Sequence, residues 1–223
     1  MKKKIEELIF NTDTAWEFIR DILENSSNKY RLLEPNRERG KETLLNLQIT
    51  NKSTMGSIII ETGGILIDSG WLKILGSGNL EICGDILSWN GFSDTNIKNT
   101  LANALIIAYD VIGGFFAINA GAFEGEIKQV YYFAPDTLEW EPMDMGYTDF
   151  IQWVLNGDIT LFYKSFRWEG WEKDTSNLKG NEAFSFYPFL WSKEGKDITK
   201  TTRKNVPIED SWGLQQEILR QLS

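Results

Sequence analysis

The spacing of apolar and polar residues changes twice along the chain, which divides it into three stretches. Residues 11–27, "NTDTAWEFIRDILENSS", repeat at helical spacing. Trp16, Ile19 and Leu23 share one face, Asp13 or Thr14 stands at the cap, and Glu17 lies at capping-box distance from Thr14. Pro35 opens a second helical stretch, "EPNRERGKETLLNLQI", with Leu44 and Leu47 as its apolar edge and Gly40 as its weak point. From residue 57 the period shortens. "SIIIETGGILIDSGWLKILGSG" is apolar and β-branched and predicts strands, with Gly63-Gly64 at a hairpin position and a further strand, "WLKIL", after Asp68-Ser69-Gly70. "ALIIAYDVIGGFFAINAG" predicts strand, turn near Asp110 to Gly114, strand. "IKQVYYFAPDTLEWE" predicts the same around Pro135-Asp136, where proline pre-sets the turn and aspartate bonds it locally.

Helical spacing returns in "GYTDFIQWVLNGD", with Thr148 as cap, Phe150, Ile151, Val154 and Leu155 as the face, and Gly157 as the stop. Asp158 begins a short helix carrying Leu161, Phe162 and Phe166, and "RWEGWEKDTSNL" predicts another. "FSFYPFLW" reads as a strand or extended segment ended by Pro188, and residues 192–206 as a solvated loop. Pro207 opens a last helix on which Ile208, Trp212, Leu219 and Leu222 align. Helices, then hairpin-linked strands, then helices predict an α+β fold: an antiparallel or mixed sheet of hairpins flanked by N-terminal and C-terminal helices. One domain over residues 1–223 is expected, with the first and last helices packed on one sheet through Trp16 and Trp212.

Composition removes several chemistries. The 223 residues include no histidine and one cysteine, Cys83. That excludes His-activated nucleophiles, His acid/base catalysis and nearly every zinc or non-haem iron site, so no tightly bound transition metal is expected. A carboxylate-only Mg²⁺ or Ca²⁺ site and a two-carboxylate glycosidase arrangement survive; no metal ligand or cofactor is assigned. Cys83 reads as a small buried apolar residue, and the absence of disulfide pairs fits a reducing, cytoplasmic setting. No apolar run reaches membrane-spanning length, and Glu6 and Glu7 interrupt the basic N-terminal tip too soon for a secretory signal. The net charge of −9 is concentrated: residues 61–160 hold 3 Lys/Arg against 14 Asp/Glu, whereas the flanking stretches each hold 10 against 9. Nucleic acid and anionic membranes are therefore poor partners for the middle of the chain.

"GSGNLEICG" lacks P-loop spacing, and "SWNGFSD" lacks both the nucleophile-elbow glycines and a histidine, so both read as turns. Carboxylates recur in pairs: Asp68 with Asp110, Glu124 with Glu126, and Glu139 with Glu141, the last on one face of a strand with Trp140 on the other. That pair reads first as the charged face of an edge strand. The aromatics Trp153, Phe162, Phe166, Trp168 and Trp171 read mainly as core. Trp168 and Trp171, flanked by charges, are also candidate interface anchors. The candidate binding surface is Glu139, Trp140, Glu141, Asp144, Tyr147, Trp168 and Trp171, with no catalytic residue assigned.

"ETGGILIDSGWLKILGSG", "DVIGGFFAINAGAFEGE", "VYYFAPDTLEWE", "GYTDFIQWVLNGDITLFY", "RWEGWE" and "FSFYPFLW" resemble an uncharacterised bacterial family, Domain of Unknown Function 2625, from Glu7 to Leu222. The family supplies no catalytic residues. More distantly, the order "GGFFAIN", "YYFAPDTLEWE", "GYTDFIQWVLNG" is similar to the SUKH superfamily of α+β binding modules, many of them immunity proteins against toxins. Relative to that superfamily, residues from about 168 to 223 form a C-terminal extension. The expectation is a non-enzymatic module that docks a basic protein on its acidic sheet; a homodimer is compatible with it. The alternative is a small-molecule-binding protein or a carboxylate-dependent hydrolase with a pocket between sheet and C-terminal helices.

Overall fold

A computed structural model of the chain describes residues 2–93, 97 and 101–222. Seven strands pair in sequence order, every neighbour antiparallel: β1 (Tyr30–Leu33), β2 (Gly64–Ile67), β3 (Leu72–Leu75), β4 (Ala104–Asp110), β5 (Phe115–Asn119), β6 (Gln129–Ala134) and β7 (Glu139–Gly146). A separate two-stranded ribbon joins β8 (Glu182–Tyr187) to β9 (Thr202–Pro207). The helices are α1 (Trp16–Glu24), α2 (Arg37–Leu47), α3 (Thr54–Glu61), α4 (Ile86–Trp89), α5 (Tyr147–Asn156), α6 (Ile159–Phe162), α7 (Trp171–Ser176) and α8 (Ile208–Leu222). The architecture is α+β, as expected, and the sheet is wholly antiparallel.

Register organises the core. One row of paired residues crosses all seven strands: Arg31, Leu66, Lys73, Tyr109, Phe115, Phe133 and Trp140. Because side chains alternate across a strand, these seven point to the same face. The aromatic half of the row is covered by α8, whose Trp212 lies 4.5 Å from Phe115 and 5.7 Å from Phe133 between ring centroids. On the opposite face, Phe116 and Tyr132 meet α5 through Phe150, whose ring is 5.0 Å from Phe116. α1 packs on α3 and α5, and Trp16 is half-buried against the core, so it is Trp212 that meets the sheet directly.

Several elements depart from the sequence reading. "TMGSIIIE" is the helix α3, not a strand. Ser53 caps it by accepting from Gly56 N at 3.1 Å, and its isoleucines are buried on several sides, which erases the helical stripe from the pattern. Gly63-Gly64 accordingly makes no hairpin. A Cβ on Gly63 would strike the Gly78 carbonyl at 2.8 Å, so the pair lets three backbone segments close on one another. The hairpin falls instead at Asp68-Ser69-Gly70, all three at positive φ. α1 begins at Trp16 behind an Ala15 cap with no side-chain bond, while Thr14 Oγ1 only accepts from Trp16 N at 3.4 Å. Thr148 does not cap α5; its hydroxyl bonds Thr54 Oγ1 at 2.8 Å. Residues 192–206 are mostly exposed, as read, but not simply a loop: Gly195 and Ile198 are buried, and β9 occupies the second part. Leu161 is exposed rather than on the apolar face of α6. Ile208 and Trp212 are buried on α8 as read, whereas the side chain of Leu222 lies outside the described residues.

At the centre lies Asp110, fully buried with no cation partner among the described residues. Its Oδ1 accepts from the N–H groups of Gly114 (2.7 Å) and Ile112 (3.1 Å), and its Oδ2 from the hydroxyls of Tyr132 (2.8 Å) and Tyr163 (3.1 Å). Burial pushes its carboxyl up to about 6, against those four hydrogen bonds that hold it down. The folded protein therefore retains this proton between about pH 4 and 6, where the unfolded chain has released it, and the stability it contributes is lost as pH rises through that window. Asp110→Leu strands four buried donors, at about 1–3 kcal/mol for each unsatisfied group. Urea denaturation should show a loss of about 3 kcal/mol or more, and Asp110→Asn should flatten the pH dependence of the midpoint between about pH 4 and 6.

Candidate functional site

The row across the sheet leaves its other half uncovered by α8. There Arg31, Leu66 and Lys73 form part of a groove of about 530 Å³, completed by Leu80 and Glu81 and by the segment from Thr175 to Gly180, with Lys29, Tyr30, Ser69 and Gly70 also lining it. That volume lies in the range of small-molecule sites. Gly180 closes one wall against the chain: a Cβ there would sit 2.6 Å from Leu80 O.

Lys73 dominates the groove's electrostatics. It sits mid-strand in "WLKIL", is 4 % exposed, and donates to Gly180 O at 2.9 Å. Its ammonium stands 5.7 Å from the Tyr109 ring centroid, and no carboxylate lies within ion-pair distance among the described residues. Burial lowers its pKa to about 8, only partly offset by Cys83 and Glu182. Arg31 is held bidentately by Glu81, at 2.8 and 2.6 Å, and Lys29 is 3.8 Å from Glu172 at the exposed rim. Thr175 is 4 % exposed and its hydroxyl has no partner among the described residues. Beside Lys73, the Cys83 thiol donates to Glu209 Oε2 at 2.9 Å, and Cys83 N donates to Tyr109 Oη at 2.7 Å. Burial and then Glu209 push that thiol far up, so it is no nucleophile.

The residues singled out from sequence fall into two other places. Glu139 and Glu141 are exposed on one face of the edge strand β7, paired with Ala134 and Tyr132, and Asp144 is exposed further along it. Partial burial, then Asp136 and Glu139, raise the Glu141 carboxyl. Trp140 points to the other face and stacks 4.7 Å from Phe123. Tyr147 opens α5, with a buried hydroxyl that has no partner among the described residues. Trp168 and Trp171 belong elsewhere. Their rings lie 5.7 and 5.1 Å from Trp71, and Trp168 is buried, with its Nε1 donating to Asp174 at 2.7 Å, rather than standing out as an anchor. The Arg167 guanidinium stacks 4.0 Å from the Trp171 ring and pairs with Asp68. Asp68 and Asp110 thus serve separate structural bonds. In "SWNGFSD", Ser93 Oγ accepts from Arg39 at 2.8 Å, and Asp94 lies outside the described residues.

The convergent acids of a carboxylate-dependent hydrolase are not what lines the groove; its cations outnumber its single carboxylate, Glu81. Among the described residues no three His, Cys, Asp or Glu side chains gather as a metal site, and no helix is long and apolar enough to cross a membrane. Sequence reasoning offered a pocket between the sheet and the C-terminal helices as its alternative but named none of the groove's residues as a site. The available signal was a lone lysine inside an apolar strand, one of 3 cations in residues 61–160.

The burial of Lys73 has a measurable cost. Its charged form is disfavoured on folding, so the protein should gain stability as pH climbs from about 8 towards 10.5, where only the unfolded chain still holds the proton. Lys73→Met, of similar length and apolar, should leave the neutral-pH melting temperature unchanged or raise it and should abolish that alkaline gain, read by thermal denaturation at pH 7 and 9.5.

The comparisons agree with one another. The profile of the family described as "Protein of unknown function DUF2625" matches residues 5–211. The chain is 39 % identical over 218 residues to a "Putative uncharacterized protein YbfG" of Escherichia coli K12, covering 97 % of both chains. It is 34 % identical over 208 residues to an "Uncharacterized protein" of Haemophilus influenzae, covering 93 % of this chain and 91 % of that one. No solved structure matches it. With a profile match over residues 5–211 and two relatives matched nearly end to end, the chain belongs to the DUF2625 family.

Proposed function

We propose that this protein is a non-enzymatic binding module that takes a small molecule in the groove over β1–β3. The observation that carries the reading is the groove of about 530 Å³ itself, with Lys73 donating to Gly180 O within its lining. Thr175, another lining residue, carries a buried hydroxyl with no partner among the described residues, which costs about 1–3 kcal/mol. The groove has no nucleophile with an adjacent base, which favours binding over catalysis. The test is thermal denaturation with the low-molecular-mass fraction of an Escherichia coli extract, chosen because a relative occurs there. A ligand should raise the melting temperature by about 2 °C or more. Ser176→Trp, which fills the groove from an exposed position on α7, should remove the rise. No rise with the unaltered protein, or the same rise in Ser176→Trp, overturns the reading.

A second reading concerns the β7 edge. Asp136, Glu139, Glu141 and Asp144 have no cationic partner among the described residues, and the likeness of this region to SUKH binding modules supports docking of a basic protein there. Association with such a partner would be fast at low salt and weaken as salt screens it. In affinity capture, a bound basic protein should be lost with Glu139→Lys/Glu141→Lys and released by raised salt. Retention that ignores both changes rules this surface out.

A further inference from the structure

The groove contains a cation with no carboxylate within ion-pair distance among the described residues, and Glu182 offsets its burial only in part. Lys73 lies in the most acidic section of a chain of net charge −9, yet the residue is 4 % exposed and its ammonium donates to a neutral carbonyl, Gly180 O. The other cations there are already answered: Arg31 bidentately by Glu81, and Lys29 at the rim by Glu172. A buried ion without a close counter-ion is held at a penalty, and the same groove is lined by Thr175, whose buried hydroxyl has no partner among the described residues.

Resting on the groove reading above, we propose that the ligand is an oxyanion, a carboxylate or phosphate group whose oxygens pair with the Lys73 ammonium and accept from the Thr175 hydroxyl. Both vacancies are then filled by one chemical group. An uncharged ligand would satisfy Thr175 and leave Lys73 in a still drier, unpaired state. A cationic ligand would meet Lys29, Arg31 and Lys73 in a lining whose one carboxylate, Glu81, is already paired with Arg31.

This assignment sets a pH dependence. The titratable and charged groups around Lys73 are Tyr109 on β4, Cys83 on the loop before α4, Glu182 on β8, Glu209 on α8 against Cys83, and Arg31, Glu81 and Lys29 around the groove. The thiol of Cys83 and the hydroxyl of Tyr109 are held neutral by burial, so the lysine is the group that changes charge in the alkaline range. Free Lys73 loses its proton near pH 8, so oxyanion affinity should be level below that and fall about tenfold per pH unit above it.

The experiment repeats the extract measurement with two changes and adds defined probes. Passing the extract over an anion-exchange resin should remove its stabilising effect, and Lys73→Met should abolish the effect while remaining folded by circular dichroism. Inorganic phosphate and malonate, titrated calorimetrically into the full chain, separate the two chemistries: the one that binds identifies the headgroup. Affinity for that probe should fall about 10- to 100-fold in Lys73→Met, the range of a hydrogen bond to a charged group, less in Thr175→Val, and about tenfold per unit above pH 8 in the unaltered protein. Stabilisation that survives in Lys73→Met or in the anion-depleted extract overturns the oxyanion assignment while leaving the groove reading standing. An extract with no effect on the unaltered protein overturns both.

Discussion

The fold turns on a buried carboxylate held by four neutral donors. Asp110 is tolerated in the core because four donors from separate parts of the chain reach it: the turn after β4 supplies two N–H groups, β6 supplies Tyr132, and the end of α6 supplies Tyr163. None of those segments can move without stranding a polar group, so the carboxylate fixes the β4–β5 hairpin, its pairing partner and the helical layer in one arrangement. The aromatic packing then follows. Phe115 and Phe116, just past that turn, point to opposite faces, one under Trp212 and the other under Phe150.

Lys73 reverses that logic. Asp110 is buried and satisfied, whereas Lys73 is buried and incompletely answered, and the two lie on opposite faces of adjacent strands. One row of the sheet runs from three aromatic rings sealed by α8 to a lysine and an arginine open to a groove. The same sheet therefore serves as core at one end and as a recognition floor at the other. The division is made by where α8 stops covering it.

Much of the sheet was legible because its strands obey a period of two with turn residues between them. β4 through β7 fall where "ALIIAYD", "FFAIN" and "QVYYFA" and the Pro135-Asp136 turn place them. α3 was not legible, because a helix buried on several sides shows no polar stripe, and three successive isoleucines favour the strand reading. β9 was hidden for the opposite reason. "TRKNV" is exposed and charged, and only pairing with the aromatic β8 makes it a strand. The acidic face of β7 was read correctly as to orientation, since Glu139 and Glu141 share a face by alternation alone. Placing Trp168 and Trp171 beside that face failed, because flanking charges say that a ring is near solvent and not which ring it stacks on. The groove was legible only as an alternative pocket between sheet and C-terminal helices, not in its residues. Its parts come from residues 29–31, 66–73, 80–81 and 175–180, and only the register of β1 to β3 brings them together.

The sequence-ordered meander has a kinetic consequence. From β3 to β7 every strand pairs with the one made just before it, and all but the β3–β4 pair, whose connection runs through residues 76–103, close a short loop before the next strand arrives. Such a sheet can grow strand by strand as the chain leaves the ribosome, with no long-range partner to await. The exceptions are β1, which waits through α2 and α3 for β2, and α8, which arrives last to cover the aromatic half of the row. Until α8 docks, the nascent sheet exposes Phe115, Phe133 and Trp140, and the final fifteen-residue helix is the step that ends its vulnerability to aggregation.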